Sequence, residues 1–333
     1  MSENRVKIIQ MGMGPLGKKV YQYAIERKSL QVVGAVDMNP EIIGLDIGIF
    51  CDRPSAGIPI LGSLEDALEH SSADVVVVTT VSDMERITPQ IEQIVKFGLP
   101  IVSTCEELSY PYETSPDLAK KIDDIAKEHG VAVLGTGINP GFLMDSLPAF
   151  LSGICKSVDK VEVNRFQDAQ YRRIPFQKKI GAGLSMEAYE KKKQTGTLRH
   201  VGLTESLHFV AGQLGWKLDK TEDVLSPVVA NEKIETKDLT ILPGQASGVN
   251  QIGNGYVNGQ VKVKLTFQAA VGEAESYDEV IITGEPNIHS RITGGVNGDI
   301  ATCAITLNAI HSILDANPGL RTMRDIPMVS CRD

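Results

Sequence analysis

The stretch VKIIQMGMGPLG, residues 6–17, joins a short apolar run to a turn that fits the pattern G-x-G-x-x-G. The six positions of this motif are Gly12, Met13, Gly14, Pro15, Leu16 and Gly17. Apolar residues then recur at helical spacing through Val20 and Ala24, so the glycines lie between a predicted strand and a predicted helix. Glycines in this context let the backbone approach a pyrophosphate at the helix N-terminus. The bare motif is weak, but its setting predicts a dinucleotide-binding unit.

Asp37 ends the next apolar run, Leu30–Val36, and lies twenty positions after Gly17. An acidic residue there accepts hydrogen bonds from the adenosine ribose hydroxyls and repels a 2′-phosphate. No arginine follows directly in Met38-Asn39-Pro40. The sequence therefore favours NAD over NADP, although Arg53 or a loop residue could still neutralise a phosphate.

The first 140 residues alternate predicted strands and helices, with further strands at residues 73–80, 100–104 and 131–135. Continuous β-branched residues, as in ADVVVVTT, are typical of parallel strands that are covered on both faces. The alternation predicts an α/β fold with a Rossmann-type, doubly wound parallel sheet. We assign residues 1–140 to this dinucleotide-binding domain. We expect a C-terminal helical segment, residues 298–333, to pack back on it and complete it.

Residues 141–297 follow a different pattern and are assigned to a substrate-binding and oligomerisation domain. The pattern predicts a strand at Lys160–Phe166 and a glycine-bearing loop at Lys178–Gly183. Alternating apolar and polar residues from Val261 to Phe267 indicate a strand with one buried and one solvent-exposed face. We expect Val280–Thr283 to be the neighbouring strand. These features predict an α+β domain with an open mixed or antiparallel sheet. Its open face favours a homodimer or larger assembly.

Composition excludes several classes of function. The net charge is −9 and Lys and Arg form no long basic tract, so nucleic acid and anionic membranes are not expected partners. No apolar run reaches the roughly 18 residues that cross a bilayer, and the polar start does not resemble a secretory signal. Five scattered cysteines without a C-x-x-C pair predict reduced thiols in a cytoplasmic protein, with no disulfide framework and no metal site. No motif supports nucleophilic hydrolysis or phosphoryl transfer.

Polar residues follow three predicted strands, at the sheet edge where α/β folds bind ligands. Thr79 and Thr80 are candidates for contact with the nicotinamide ribose, with a solvent-facing threonine as the equal alternative. Glu106 and Glu107 are candidates for a general base, or for activating the water that adds to an iminium. The alternative is that both glutamates begin a helix and complement its macrodipole. Asn139 is a candidate for holding a substrate or nicotinamide group.

The second domain contributes candidates for binding a substrate. Arg165, Tyr171, Arg172 and Arg173 lie in or just after its first predicted strand. A planar guanidinium is the natural partner of a substrate carboxylate, although at least two of the three arginines are expected to be solvated at the surface. His200 lies in a loop before a helix and is interpreted as a polar residue that lines the substrate pocket.

Seven blocks of sequence together resemble a known family. They are GMGPLG (12–17), GAVDMNP (34–40), STCEEL (103–108), TGINPGFLMD (136–145), NRFQDAQYRR (164–173), KKIGAG (178–183) and GGVNGDIAT (294–302). They resemble the NAD(P)-dependent amine dehydrogenases typified by 2,4-diaminopentanoate dehydrogenase of ornithine fermentation, relatives of dihydrodipicolinate reductase. The likeness runs over nearly the whole chain, and the later blocks are more specific than the first.

The resemblance implies oxidative deamination of the C4 amine of 2,4-diaminopentanoate to 2-amino-4-oxopentanoate and ammonia, with reductive amination as the reverse. It implies that a glutamate of STCEEL handles the proton transfer, with Glu106 preferred and Glu107 as the alternative. Arg165 is chosen to bind the substrate carboxylate, with Asn139 and His200 lining the pocket and Tyr171 beside them.

One departure from dihydrodipicolinate reductase concerns the substrate. That enzyme carries a paired-histidine segment followed by a lysine and an S-G-T turn, whereas residues 165–183 here contain no histidine pair. A cyclic dicarboxylate substrate is therefore disfavoured. Two alternatives stay open: another NAD(P)-dependent imine or carbonyl reductase of that type, and a non-catalytic NAD-binding sensor. The acidic pair at the ligand edge argues against the sensor, although fold alone does not decide.

Overall fold

The computed structural model describes residues 5–172 and 174–332, which form two compact units. The first unit contains the described residues up to Phe142 and those from Asn297 onward, and the second is Leu143–Val296. Among the described residues, no helix combines the length and the apolar character that a membrane span requires.

The first unit is built on a seven-stranded sheet. Its strands are β1 (Val6–Met11), β2 (Leu30–Val36), β3 (Ile60–Leu61), β4 (Val75–Val78), β5 (Ile101–Ser103), β6 (Ala132–Gly135) and β15 (Gly319–Arg321). Its helices are α1 (Pro15–Ala24), α2 (Ile47–Phe50), α3 (Leu64–His70), α4 (Met84–Val95), α5 (Pro116–Glu128) and α10 (Gly298–Leu314).

The strand order β15-β6-β5-β4-β1-β2-β3 and the parallel pairing of every neighbouring pair confirm the Rossmann-type sheet. The order reverses between β1 and β4, which is where doubly wound sheets bind their ligands. All four valines of β4 are fully buried, as the run of β-branched residues predicts. The carboxyl ends of β1, β2, β4, β5 and β6 therefore face one edge of the sheet.

The C-terminal segment contributes more than the predicted helix. Cys303, Leu307 and Ile310 of α10 are buried in one apolar cluster with Ile8 and Val20. After α10 the chain adds the short strand β15, which pairs with β6. Three residues are too few to show a strand periodicity, so the sequence offered no signal for this strand.

The described residues of the second unit form a six-stranded sheet and four α-helices. Its strands are β7 (Ser157–Asp168), β8 (Lys220–Val229), β11 (Ala246–Val257), β12 (Gln260–Ala270), β13 (Tyr277–Glu285) and β14 (Ile288–Thr293), with a separate pair, β9 (Ile234–Glu235) and β10 (Thr240–Ile241). Its helices are α6 (Ser146–Ser152), α7 (Ile174–Lys179), α8 (Met186–Gln194) and α9 (Leu203–Gln213). The sheet has the order β14-β13-β7-β12-β11-β8, and β7 runs parallel to β12 while the other neighbours are antiparallel. The predicted mixed sheet is confirmed.

Two details of the second unit differ from the expectations. Val280–Thr283 lies in β13, which pairs with β7 and β14, so β7 separates it from the strand at Val261–Phe267. Alternation identifies the two faces of a strand but not its neighbours, so the prediction was wrong. The expected loop at Lys178–Gly183 begins inside α7, because that helix extends to Lys179.

The loop after β2 is organised by one carboxylate. Asp46 caps α2 by accepting the N–H of Ile49, and it also accepts the N–H groups of Ala56 and Gly57 and the hydroxyl of Ser55. The hydrogen bond from Ile49, aided by the others, holds the pKa of Asp46 at about 2, below its ordinary value of 3.8. Asp46 thus stabilises the folded loop in its ionised form.

We expect this contribution to disappear in acid. Because the folded pKa lies below the unfolded value, the stabilisation is complete above pH 3.8 and is lost as pH falls towards about 2. The difference in melting temperature between the wild type and Asp46→Ala should therefore be large near neutral pH and shrink through that window. Thermal unfolding followed by circular dichroism measures it, and a difference that does not change with pH would contradict the assignment.

Candidate functional site

The glycine motif forms a tight turn between β1 and α1. Gly12 has φ +91°, and a Cβ on it would lie 2.8 Å from the carbonyl oxygen of Thr79. A Cβ on Gly17 would lie 1.9 Å from the carbonyl oxygen of Gly12, so neither position accepts a side chain. A Cβ on Gly14 would meet nothing within 4 Å. The turn thus leaves open space at the N-terminus of α1, which fits the pyrophosphate of a dinucleotide.

The polar groups of the turn bond to one another. The carbonyl oxygen of Gly12 accepts the hydroxyl of Thr79 at 2.8 Å and the side-chain amide of Gln10 at 3.1 Å. Gln10 also donates to Oγ1 of Thr79 at 2.9 Å. The Thr79 hydroxyl therefore holds the turn itself, and its predicted contact with the nicotinamide ribose stays a prediction.

Asp37 lies across the turn, at the carboxyl end of β2. Its Oδ2 accepts the N–H of Met13 at 2.6 Å and its Oδ1 accepts the N–H of Asn39 at 2.8 Å. Both oxygens are thereby oriented by backbone groups. Arg53, the residue that could neutralise a 2′-phosphate, pairs with Glu26 at 3.1 Å.

A cavity of about 330 Å³ opens between the turn and the strand ends. Its lining residues are Met11, Gly12, Gly14, Val36, Asp37, Met38, Thr79, Thr80, Val81 and Gln90. The structure thus brings five predicted cofactor residues together around one space. Met13 is buried beside it, Pro15 begins α1 and Leu16 packs on the core, so these three shape the turn. None of the described residues in the lining is basic, which suits a cofactor without a 2′-phosphate.

The two glutamates after β5 differ in their contacts. Oε2 of Glu107 accepts the N–H of Met84, the first residue of α4, at 2.8 Å. Glu107 therefore caps a helix, which is the alternative that the sequence left open, although the helix is α4 rather than one that the glutamates begin. Glu106 precedes the 3₁₀ turn Glu107–Ser109, and its side chain does not cap that turn. The preference for Glu106 in proton transfer, which the resemblance implies, stays a prediction.

Asn139 follows β6 at the same edge of the sheet. The residue is 8% exposed, and its Oδ1 and Nδ2 have no hydrogen-bond partner among the described residues. The loop is tightly folded, because a Cβ on Gly141 would lie 2.4 Å from the backbone nitrogen of Gly137. Buried amides without partners are rare, so this one suits a ligand or an ordered water.

In the second unit, Arg165 is engaged by the unit's own residues. It is 2% exposed, and its Nη1 donates to Asp278 at 2.8 Å while its Nη2 donates to the carbonyl oxygen of Val296 at 3.0 Å. Asp278 accepts the N–H of Val296 at 2.7 Å, and Gln167 donates to the Val296 carbonyl at 2.8 Å. These contacts favour a structural role for Arg165 over the expected binding of a substrate carboxylate, because a buried guanidinium with a paired charge is not available to a second anion.

His200 is fixed from two sides. Its ring stacks on Phe267 with centroids 4.7 Å apart. Its backbone N–H donates to Oε1 of the fully buried Gln251 at 2.7 Å, and its backbone carbonyl oxygen accepts from Nε2 of Gln251 at 3.1 Å. Phe267 also lies opposite Arg165 in the pairing of β12 with β7. His200 and Arg165 are therefore brought near one surface of the sheet.

The remaining candidates lie after β7. Tyr171 is 83% exposed in a 3₁₀ turn, which leaves its hydroxyl open to solvent. Arg172 donates to Oε1 of Gln167 at 3.1 Å and packs over the ring of Phe176. Arg173 lies outside the described residues.

Sequence reasoning missed three buried strand glutamines that contact candidate site residues: Gln10, Gln167 and Gln251. Each is a polar residue inside a strand, and strands are predicted from their apolar residues. A lone glutamine at an inward strand position was the available signal, because a buried amide must find partners.

Comparison with known proteins covers both units. The family model of the 2,4-diaminopentanoate dehydrogenase C-terminal domain matches residues 142–332, and that of the dihydrodipicolinate reductase N-terminus matches residues 6–108. The chain is 33% identical to 2,4-diaminopentanoate dehydrogenase of Acetoanaerobium sticklandii, over 97% of this chain and 94% of that protein. It is 20% identical to an amine dehydrogenase of Streptomyces virginiae, over 97% and 96%.

A solved structure, the amine dehydrogenase from Mycobacterium smegmatis, is similar with a TM-score of 0.85 and 20% identity. The likeness covers 100% of this chain and 99% of that one. At this identity the comparison shows a shared fold, in agreement with the sheet topology above.

Proposed function

This chain belongs to the 2,4-diaminopentanoate dehydrogenase family, and we propose that it catalyses the NAD(P)-dependent oxidative deamination of the C4 amine of 2,4-diaminopentanoate. Family membership confirms the resemblance drawn from the sequence blocks. The observation that carries the proposal is the glycine turn facing Asp37 across the cavity, on the sheet edge that also carries Glu106.

Oxidative deamination of the C4 amine consumes one water and releases one proton. The C4 ammonium group of the substrate, NAD(P)⁺ and water give the 4-ketone, ammonium, NAD(P)H and one proton. The nicotinamide supplies the hydride acceptor when the cofactor is bound. The protein must therefore hold the dinucleotide, remove a proton from the amine, and direct water to the resulting imine carbon.

The residues of the first unit fit these tasks. The turn of Gly12, Gly14 and Gly17 receives the pyrophosphate, and Asp37 receives the ribose hydroxyls. Glu106 acts as the base that takes the amine proton and activates water, as the resemblance implies, and its place after β5 at the ligand edge of the sheet supports this role. Asn139 offers a donor and an acceptor to the ligand. We propose NAD as the preferred cofactor, since Asp37 repels a 2′-phosphate.

The assembly and setting are also proposed. The open face of the six-stranded sheet, on which Val224 is 55% exposed, supports a homodimer or a larger assembly. Three buried thiols, Cys51, Cys105 and Cys303, support a reducing, cytoplasmic setting. The family's typical substrate supports a place in ornithine degradation.

The test is formation of reduced nicotinamide, followed by its near-ultraviolet absorbance, with 2,4-diaminopentanoate and either NAD or NADP. We expect amine-dependent reduction accompanied by ammonia release in equal amount, and faster with NAD. Tight nucleotide binding without turnover of this or related diamines would overturn the proposal and favour a sensor. Turnover of an imine or carbonyl substrate alone would favour a different reductase of the same scaffold.

A further inference from the structure

Gln10 lies inside β1, two residues before the first glycine of the turn, and is 1% exposed. Its Nε2 donates to the Gly12 carbonyl oxygen at 3.1 Å and to Oγ1 of Thr79 at 2.9 Å. The same carbonyl accepts the Thr79 hydroxyl at 2.8 Å. Gln10 and Thr79 therefore hold one carbonyl group together, Gln10 from within β1 and Thr79 from the position just after the neighbouring strand β4.

This carbonyl belongs to the peptide that joins Gly12 to Met13. In a trans peptide the C=O and N–H groups point in opposite directions, so fixing the carbonyl also fixes the direction of the Met13 N–H. That N–H donates to Oδ2 of Asp37 at 2.6 Å. The contacts form one chain, from the Gln10 amide through the peptide to the Asp37 carboxylate.

We propose that Gln10 is a positioning residue for the dinucleotide, which orients the pyrophosphate turn and, through the Gly12–Met13 peptide, the carboxylate that selects NAD over NADP. The proposal rests on the proposed function in that the turn and Asp37 bind the cofactor. Gln10 itself is buried behind the turn and touches the ligand only through Gly12 and Asp37.

Loss of the Gln10 amide should weaken the binding of NADH more than the binding of NADPH. Without the Gln10 amide, the Gly12 carbonyl keeps one of its two side-chain donors, and the peptide gains freedom to rotate because Gly12 has no side chain to restrain it. Asp37 then loses the fixed direction of its Met13 partner. Recognition of the ribose hydroxyls depends on that direction, whereas the pyrophosphate is common to both cofactors, so NADH should lose more affinity than NADPH.

The experiment measures the Kd of NADH and of NADPH by nucleotide fluorescence, with no amine present. In Gln10→Leu we expect NADH binding about tenfold weaker, equivalent to about 1.4 kcal/mol, and a clearly smaller change for NADPH. Thr79→Val removes the other donor and should shift the same selectivity. Because both residues act on one carbonyl, the double variant should lose less than the product of the single losses.

A matched control separates positioning from general loosening of the strand. Ile9→Val alters the neighbouring buried residue of β1, whose side chain points to the opposite face of the sheet. It should lower the melting temperature without changing the ratio of the two Kd values. Gln10→Glu keeps the shape but replaces the donor by an acceptor facing the Gly12 carbonyl, so it should reduce NADH affinity at least as much as Gln10→Leu.

The proposal would be overturned if Gln10→Leu and Thr79→Val left the ratio of the NADH and NADPH Kd values unchanged. It would also be overturned if these variants weakened the binding of both nucleotides equally and by no more than Ile9→Val does. Failure of the proposed function looks different. In that case the wild type binds nucleotide with the stated selectivity but oxidises no diamine, and the Gln10 variants still shift the ratio.

Discussion

Replacing Glu106 by glutamine is expected to lower kcat for amine oxidation by about 10²- to 10⁴-fold, the range typical of losing a general base. Glutamine keeps the size and hydrogen-bonding shape of the side chain but cannot take the proton of the substrate amine or activate water. The Kd for NADH should stay at the wild-type value, because the turn and Asp37 belong to other strand ends. Steady-state kinetics together with nucleotide fluorescence measure both quantities.

Glu107→Gln is the matched control, since it changes the adjacent carboxylate in the same way. Its amide oxygen still accepts the Met84 N–H, so only the charge at the N-terminus of α4 is lost. We expect near wild-type kcat and a loss of stability of about 0.3–1 kcal/mol. If Glu107→Gln abolished turnover while Glu106→Gln did not, the roles assigned to the two glutamates would have to be exchanged.

Local pattern predicted the glycine turn and the strands and helix beside it, because their signals are short-range, but it did not predict the short strands β3 and β15. The bounds of β1 and β2 agree with the predicted runs, since each strand is a mainly apolar segment ended by a turn or a charged residue. The glycine positions were also predictable, because the absence of room for a Cβ is a property of the turn itself. Asp37 follows from its spacing after the glycines.

Long-range partners were not predictable in the same way. The pairing of β13 with β7 depends on the order of strands in space, which alternation does not encode. Glu106 and Glu107 are adjacent and chemically identical, and they became distinguishable only when Met84 was placed beside one of them. Gln10 appeared as one polar residue in an apolar strand, and its role depends on Thr79, which is 69 positions away.

Arg165 illustrates the same limit, and its substitution is the second change with a large expected effect. Arg165→Met removes the cation that faces Asp278 at 2.8 Å, in a site where both side chains are almost completely buried. We expect the free energy of unfolding to fall by about 3–5 kcal/mol, because an uncompensated carboxylate remains in the interior. Arg53→Met is the matched control: that arginine pairs with Glu26 at 3.1 Å but is partly exposed, so we expect a change of about 0–1 kcal/mol.

The pH dependence of Arg165→Met separates a structural pair from a substrate contact. Burial already raises the pKa of Asp278, and Arg165 opposes that shift, so removing the arginine should raise this pKa further. A carboxyl group with a raised folded pKa favours folding at low pH and loses that contribution as pH rises through the folded value. The loss of unfolding free energy in Arg165→Met should therefore be smallest in mild acid. At neutral pH, the double variant with Asp278→Asn should be more stable than Arg165→Met alone, since asparagine has no charge and still accepts the Val296 N–H. Urea unfolding against pH measures this. Unchanged stability with a large rise in KM for the diamine would instead identify Arg165 as the group that binds the substrate carboxylate.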